Sequence, residues 1–289
     1  MLGFTTLCWG GNAIFGQLAV GNVSPMLLVT LRWLGALTLL LIVAGKHLEK
    51  DWPALRGNLL FLFAMGATGF TIFNVLFYVA AYSTTALNVG IIQGAMPMIV
   101  LIGMFFCYGS RITGVQFLGV LVGLAGVCAV VSQGDFTRLL ALSVNHGDLL
   151  MLLACVFYSA YAVGLRRAPQ VSPFSLFTIM AGSALLVSLF FSVYEYFQGG
   201  LEWPTMQGWA VAGLITFFPS FLAQLFFIQG VSMIGAGRAG VFVNLVPVFA
   251  AILAVVILKE DFQIYHAVSL FLVLAGIALS EIGKPKGTS

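Results

Sequence analysis

The sequence predicts an all-α integral membrane protein of ten transmembrane helices, built as two inverted five-helix repeats. Three features carry that reading. First, 61% of the 289 residues are apolar and only 7% are charged, against roughly 25% charged in ordinary soluble proteins. Second, ten apolar windows of membrane-spanning length follow one another with short joins. Third, the chain repeats itself: Val89-Gly90-Ile91-Ile92-Gln93-Gly94-Ala95-Met96-Pro97 returns 150 residues later as Ala239-Gly240-Val241-Phe242-Val243-Asn244-Leu245-Val246-Pro247.

The windows place helices at about 2–20, 25–44, 57–81, 86–108, 113–131, 148–165, 173–197, 207–231, 237–258 and 263–282. Met1 runs into the first window with no Lys or Arg before it, so this segment reads as helix 1 and not as a cleaved signal. The longest join, Ser132 to Gly147, falls between the fifth and sixth helices. This gives a first repeat over 1–131, a connecting loop over 132–147, a second repeat over 148–282 and a tail over 283–289. Trp9 to Pro25 aligns with Phe157 to Pro173 at an offset of 148, and Asn74, Ala86 and Gly126 pair with Gln224, Ala236 and Gly276 at 150. Five helices per copy is an odd number, so the second copy is upside down, and inverted repeats surround the midplane sites of alternating-access carriers.

An even helix count puts both termini on one side. Lys46, Lys50, Arg56, Arg111, Arg166, Arg167, Arg238, Lys284 and Lys286 share it, and only Arg138 and Lys259 lie opposite. That excess marks the cytoplasmic face. A net charge of +3 is too small to suggest nucleic acid. Cys8, Cys107, Cys128 and Cys155 lie in apolar spans without paired spacing, so neither disulfides nor a metal site is expected.

Both copies of the repeated stretch are apolar runs broken by proline. Proline lacks the N–H that would bond the carbonyl four residues back, which frees the Gln93 and Val243 carbonyls. In hydrocarbon that backbone must face protein or a water-filled cavity. Gly90, Pro97, Pro219, Gly240 and Pro247 are therefore the expected hinges. Gln93 and Asn244 flank the freed carbonyls, where they would either meet a substrate or repair the backbone.

Asn74, Tyr78 and Tyr82 follow i, i+4, i+8 spacing on one face of helix 3. Asn74 and Tyr78 would line a path or bond a neighbouring helix, whereas Tyr82 suits an interfacial belt. Trp9 and Tyr158, in corresponding parts of helices 1 and 6, offer aromatic faces to a substrate's apolar side chain. For Asn12 and Tyr161, ordinary packing is the simpler reading. Arg32 is the one charge well inside a span, so it is a candidate for a substrate carboxylate. Its position a third of the way in from the outer end favours snorkelling instead. All Asp and Glu lie in loops or at helix ends, so no buried carboxylate is expected, and neither is a proton-coupled mechanism. Nothing at depth suits catalysis, so the chain is read as no enzyme and without a cofactor.

The tandem pattern, Ser24-Pro25 and Ser172-Pro173 opening helices 2 and 7, Leu31-Arg32-Trp33, and Asn244-Leu245-Val246-Pro247-Val248-Phe249-Ala250-Ala251 leading to Leu258-Lys259-Glu260 resemble the EamA-type drug/metabolite transporter superfamily over essentially the whole chain. The first-half copy departs from the pattern at Met96-Pro97-Met98. The resemblance implies a bacterial inner-membrane carrier that works as a monomer in the lipid bilayer, with small-molecule substrates. Within the superfamily it points to outward, facilitated movement of neutral and aromatic amino acids. Export of drugs or other metabolites, and a structural membrane protein without cargo, are the alternatives.

The basic-residue asymmetry is tested by labelling. Single cysteines replacing Gln170 and Lys284 should react only from the cytoplasm, and those replacing Val23, Ser83 and Gly200 only from outside. Labelling of the Lys284→Cys protein from outside intact cells would reverse the assigned topology.

Overall fold

The computed structural model describes residues 1–135, 144–234, 239 and 242–283, without the side chains of 44–46. Gly240 and Arg238 lie outside the described residues, as does the tail from 284. The described chain is helical throughout its ordered elements: α1 (Leu2–Ala19), α2 (Pro25–Leu55), α3 (59–80), α4 (Ala86–Tyr108), α5 (Gly114–Val131), α6 (His146–Gly164), α7 (Pro173–Phe197), α8 (Met206–Ile234), α9 (described over Val246–Leu258) and α10 (Ile264–Ile282). Eight helices are long and apolar enough to cross a membrane. The described part of α9 is shorter, and α1 has its apolarity diluted by Asn12 and Gln17. Ten helical segments therefore match the ten expected.

Most boundaries fall within a few residues of the sequence reading, because Ser-Pro, Gly and short polar joins punctuate the apolar runs. The exception is α2, expected to end near 44, which continues as one helix to Leu55. Nothing between 44 and 52 stops a helix once the chain has left hydrocarbon, and α2 ends two residues after Pro53.

Helix pairing follows a swap between the halves. α5 packs on α10, α2 on α7 and α4 on α9. Further large contacts come in exchanged pairs: α1 on α9 with α6 on α4, α1 on α8 with α6 on α3, and α2 on α8 with α7 on α3. Close approach is set by glycines. A Cβ on Gly276 would lie 2.6 Å from both the Gly119 carbonyl oxygen and the Gly123 nitrogen, so α5 and α10 meet backbone to backbone.

Four helices are irregular, three of them at the expected prolines and the fourth, α3, at the repeat counterpart of Pro219. α3 carries a π-helical stretch at Ala67–Ile72 and α8 its counterpart at Thr216–Leu222, which contains Pro219. α4 breaks at Gly94 and Ala95, and Pro97 then opens the helix that resumes at Met96. α9 does the same, with Asn244 and Leu245 in the break and Pro247 opening Val246–Leu253. Prolines thus sit where the missing N–H has no helical partner to serve.

Replacing Gly276 with leucine should wedge α10 from α5. The expected outcome is loss of at least ~1–3 kcal/mol, the usual cost of overpacking, read as a lower unfolding midpoint in detergent. An unchanged midpoint would show that the pair is not closely seated.

Candidate functional site

Between the halves lies a cavity of about 600 Å³. Its deep end is formed by Asn12, Arg32 and Asn74, from α1, α2 and α3. It runs past Trp9, Tyr158, Pro219, Gln93 and Asn244 to Gln116, Leu165, Ser280 and Glu281. The last four lie at the ends of α5, α6 and α10 on the side where α1 begins and α10 finishes. The cavity is therefore carried toward the terminal side.

The opposite end is closed, and the closure converges on the start of α4. Glu260, just after α9, accepts from the Ala86 and Leu87 N–H groups at 2.8 and 2.9 Å. These are orphan donors of the α4 N-terminus, where a carboxylate is doubly favoured. Asp148 of α6 bonds the Thr84 hydroxyl and accepts from Asn88 Nδ2 at 3.2 Å. His266 of α10 accepts the Gln263 N–H at Nδ1, so its Nε2 donates to Asn88 Oδ1 at 3.2 Å. Gln17 of α1 donates to the Thr84 carbonyl, and Asn145 to that of Ser83 at 2.6 Å. Four helices are tied to one short segment.

These contacts correct the expectation that no carboxylate is buried. Asp148 is 0% exposed and Glu195 7%. Both are helix-end residues, as the sequence indicates, but here the helix ends are packed under neighbouring chain. Glu195 accepts from Ser24 Oγ, Met26 N and Leu27 N at the start of α2, at 2.7, 3.2 and 3.0 Å.

Arg32 does not snorkel. It is 7% exposed, and its Nη1 donates to Asn74 Oδ1 and Tyr78 Oη, both at 2.7 Å, and to Asn12 Oδ1 at 3.3 Å. Three neutral oxygens from α1 and α3 supply at depth what the membrane surface would otherwise offer. The Tyr78 hydroxyl donates in turn to Asn12 Oδ1 at 2.9 Å, and Asn74 Nδ2 to the Phe70 carbonyl. Arg32 Nε is buried with no partner, as is the indole nitrogen of Trp33, whose ring centroid is 5.3 Å from the guanidinium carbon. Nη1 makes all three of these bonds, which leaves Nη2 as the guanidinium nitrogen for a ligand.

Of the residues singled out in the sequence, Trp9, Arg32, Asn74, Gln93, Tyr158 and Asn244 line the cavity. Tyr78 does not: it stands behind Arg32 and fixes it. Trp9 Nε1 donates to the Pro219 carbonyl at 3.1 Å within the π-helical stretch, so only its ring is free for a ligand. Gln93 Nε2 reaches the Val89 carbonyl at 3.4 Å, not its own freed one. Pro97, Pro219 and Pro247 line the cavity, whereas Gly90 is where α4 crosses α9 at Ala250.

Sequence reasoning passed over most of the aromatic wall. Trp33 stacks on Phe70 at 4.8 Å and 9°, Phe70 meets Tyr161 at 5.2 Å and Phe177 at 5.6 Å, and Tyr158 meets Phe73 at 5.1 Å. Phenylalanine in an apolar helix gives no local sign of which way it faces. Gln224, also on the cavity, was findable as the repeat partner of Asn74.

A helical membrane bundle that encloses a one-sided, aromatic-walled cavity between broken helices has the architecture of a small-molecule carrier. Residues 1–132 and 145–282 match the EamA-like transporter family, and the chain belongs to it. It is 27% identical over 277 residues to the uncharacterized transporter YetK of Bacillus subtilis (strain 168), covering 95% of this chain and 84% of that protein. With the uncharacterized transporter YyaM of the same organism it shares 28% identity over 284 residues, covering 96% and 90%. A solved crystal structure has a like fold, with a TM-score of 0.66 and 20% identity over 96% of this chain and 94% of that one.

Removing the Glu260 carboxylate should loosen the closed end. In a background free of native cysteines, Leu87→Cys should react slowly with an impermeant maleimide, and at least tenfold faster once Glu260→Ala is added. Equal rates would mean that the α4 N-terminus is held by packing alone.

Proposed function

We propose that this EamA-family transporter exports small zwitterionic metabolites, neutral and aromatic amino acids foremost, across a bacterial inner membrane by alternating access. The observation that carries the reading is Arg32: a buried guanidinium at the deep end of the cavity, oriented by neutral oxygens at Nη1 and left with Nη2 unused. A positive charge with the Nη2 donors still unused suits a carboxylate oxygen. The rings of Phe70, Tyr158 and Tyr161 would receive an apolar or aromatic side chain. The carbonyls of Gln93 and Val243, freed by Pro97 and Pro247, would accept from the ammonium group. Cationic drugs fit this arrangement poorly, because the deep end already holds an uncompensated positive charge.

In this reading residues 1–131 and 148–282 are the two inverted halves, 132–147 joins them, and both termini and the tail 283–289 are cytoplasmic. The chain works as a monomer, with the bilayer and the amino acid as its partners and no nucleic acid. Movement follows the cargo's own gradient. Asp148 and Glu195 are buried and are not among the residues lining this cavity. Within the superfamily, the resemblance to the bacterial amino-acid exporter YddG supports the same direction and cargo.

Proteoliposomes holding only this protein, with labelled phenylalanine, leucine, lysine and glutamate in turn, test the reading. Saturable flux of phenylalanine and leucine is expected. Arg32→Gln should weaken their apparent affinity at least tenfold, the ~1.5–3 kcal/mol of a charged hydrogen bond. Flux of none of the four above protein-free vesicles would remove amino acids as the cargo.

A further inference from the structure

Among the described residues the charge on Arg32 has no counter-ion. Among the described residues lining the cavity the one carboxylate is Glu281, at the mouth, at the far end from Arg32. Asn12, Asn74 and Tyr78 orient the guanidinium but carry no charge to cancel it. Two adjacent buried donors, Arg32 Nε and Trp33 Nε1, also lack acceptors. In a cavity open to the terminal side, water and dissolved anions can answer this charge. The open side is thus part of what makes the empty site tolerable.

Alternating access removes that help. To present the site to the opposite side, the mouth at Gln116, Leu165 and Glu281 must close before the ties at Thr84 to Asn88 release, or the membrane would leak. Every passage therefore goes through a state sealed at both ends, with Arg32 cut off from bulk water. An unpaired charge in that surrounding is strongly disfavoured, whereas a charge paired with a hydrogen-bonded carboxylate is much less so. A carboxylate ligand consequently binds the sealed state more tightly than the open one, and only such a difference can accelerate the passage.

We infer that this protein is an exchanger: Arg32 makes the empty carrier slow to reorient, and a bound carboxylate on either side releases it. The inference rests on the carboxylate reading of the cavity proposed above. The aromatic wall sets which side chain is accepted, and the carboxylate acts as the key that permits closure. A molecule of the same shape without a carboxylate would occupy the wall and leave the carrier where it is.

The test uses proteoliposomes of the full chain loaded with labelled phenylalanine, with the membrane potential clamped, diluted into buffer with or without unlabelled phenylalanine. Unlabelled phenylalanine outside should speed efflux of the label at least tenfold, and phenylethylamine, which lacks the carboxylate, should not. Arg32→Gln should bring the ratio of exchange to net efflux close to one, and Arg32→Lys should keep it high. Equal efflux by the unaltered protein with and without outside phenylalanine overturns the inference and leaves the carrier reading standing. Acceleration by phenylethylamine overturns it as well. The unaltered protein decides the matter even where the Arg32→Gln protein does not fold. Absence of any phenylalanine flux overturns the carboxylate reading, and the inference falls with it.

Discussion

Hydrocarbon offers no hydrogen bonds, so each polar group that this chain takes into the membrane has to be answered by another part of the protein. The helix ends show the rule at work. Glu195, at the far end of α7, serves the first N–H groups of α2, and Asp51, near the end of α2, accepts from Ser172 N at 2.9 Å before α7 begins. Each helix of that pair is capped by an acid from the other, as the swapped pairing of the halves requires. In the π-helical stretch of α8, the Pro219 carbonyl is met by the Trp9 indole from α1. Interruptions that would be defects in lipid become places where helices recognise one another.

The two ends of the molecule differ in how fully the rule is met, and that difference bears on mechanism. Glu260 ties α9 to the start of α4; its repeat partner 150 residues earlier is Ser110, which has no carboxylate to offer the start of α9. His266, in the polar closure, corresponds through the repeat to Gln116 on the terminal side. The closed end is thus built from acceptors matched to helix N–H groups. The terminal end has a different set in the same positions, and there Gln116 lines the mouth. In the alternating-access cycle proposed above, these differences between near-symmetric halves favour one access state.

Much of this was legible in the sequence. The helix limits followed from apolar windows and Ser-Pro starts, and the doubled Gly-Pro stretch marked α4 and α9, whose breaks meet at the cavity where Gly94 faces Pro247. The misses share a physical cause: each depended on which neighbour a residue meets. Arg32 reads as a snorkelling side chain until Asn12, Asn74 and Tyr78 are brought around it from two other helices. Asp148 reads as a solvated helix-end acid until the segment from Ser83 to Asn88 covers it. The π-helical stretches had only Gly66, Gly69 and Pro219 as signs, and those residues fit a simple kink equally well.

The arrangement around Arg32 also separates two demands that a carrier must meet together. Selectivity by shape is broad here, because stacked rings accept many apolar bodies and form few directional bonds. Selectivity by charge is narrow in the proposed reading, because a guanidinium fixed at Nη1 by three oxygens offers Nη2 in one direction. In the proposed reading Tyr78, which stands behind Arg32 and holds it, is as much part of the recognition as Asn12 and Asn74, which face the cavity. Replacing either neutral acceptor by an acid would neutralise the guanidinium internally and take away the reason for a carboxylate to bind. Neutral oxygens are therefore what the site requires: enough hydrogen bonding to keep a cation buried, and no opposite charge to satisfy it.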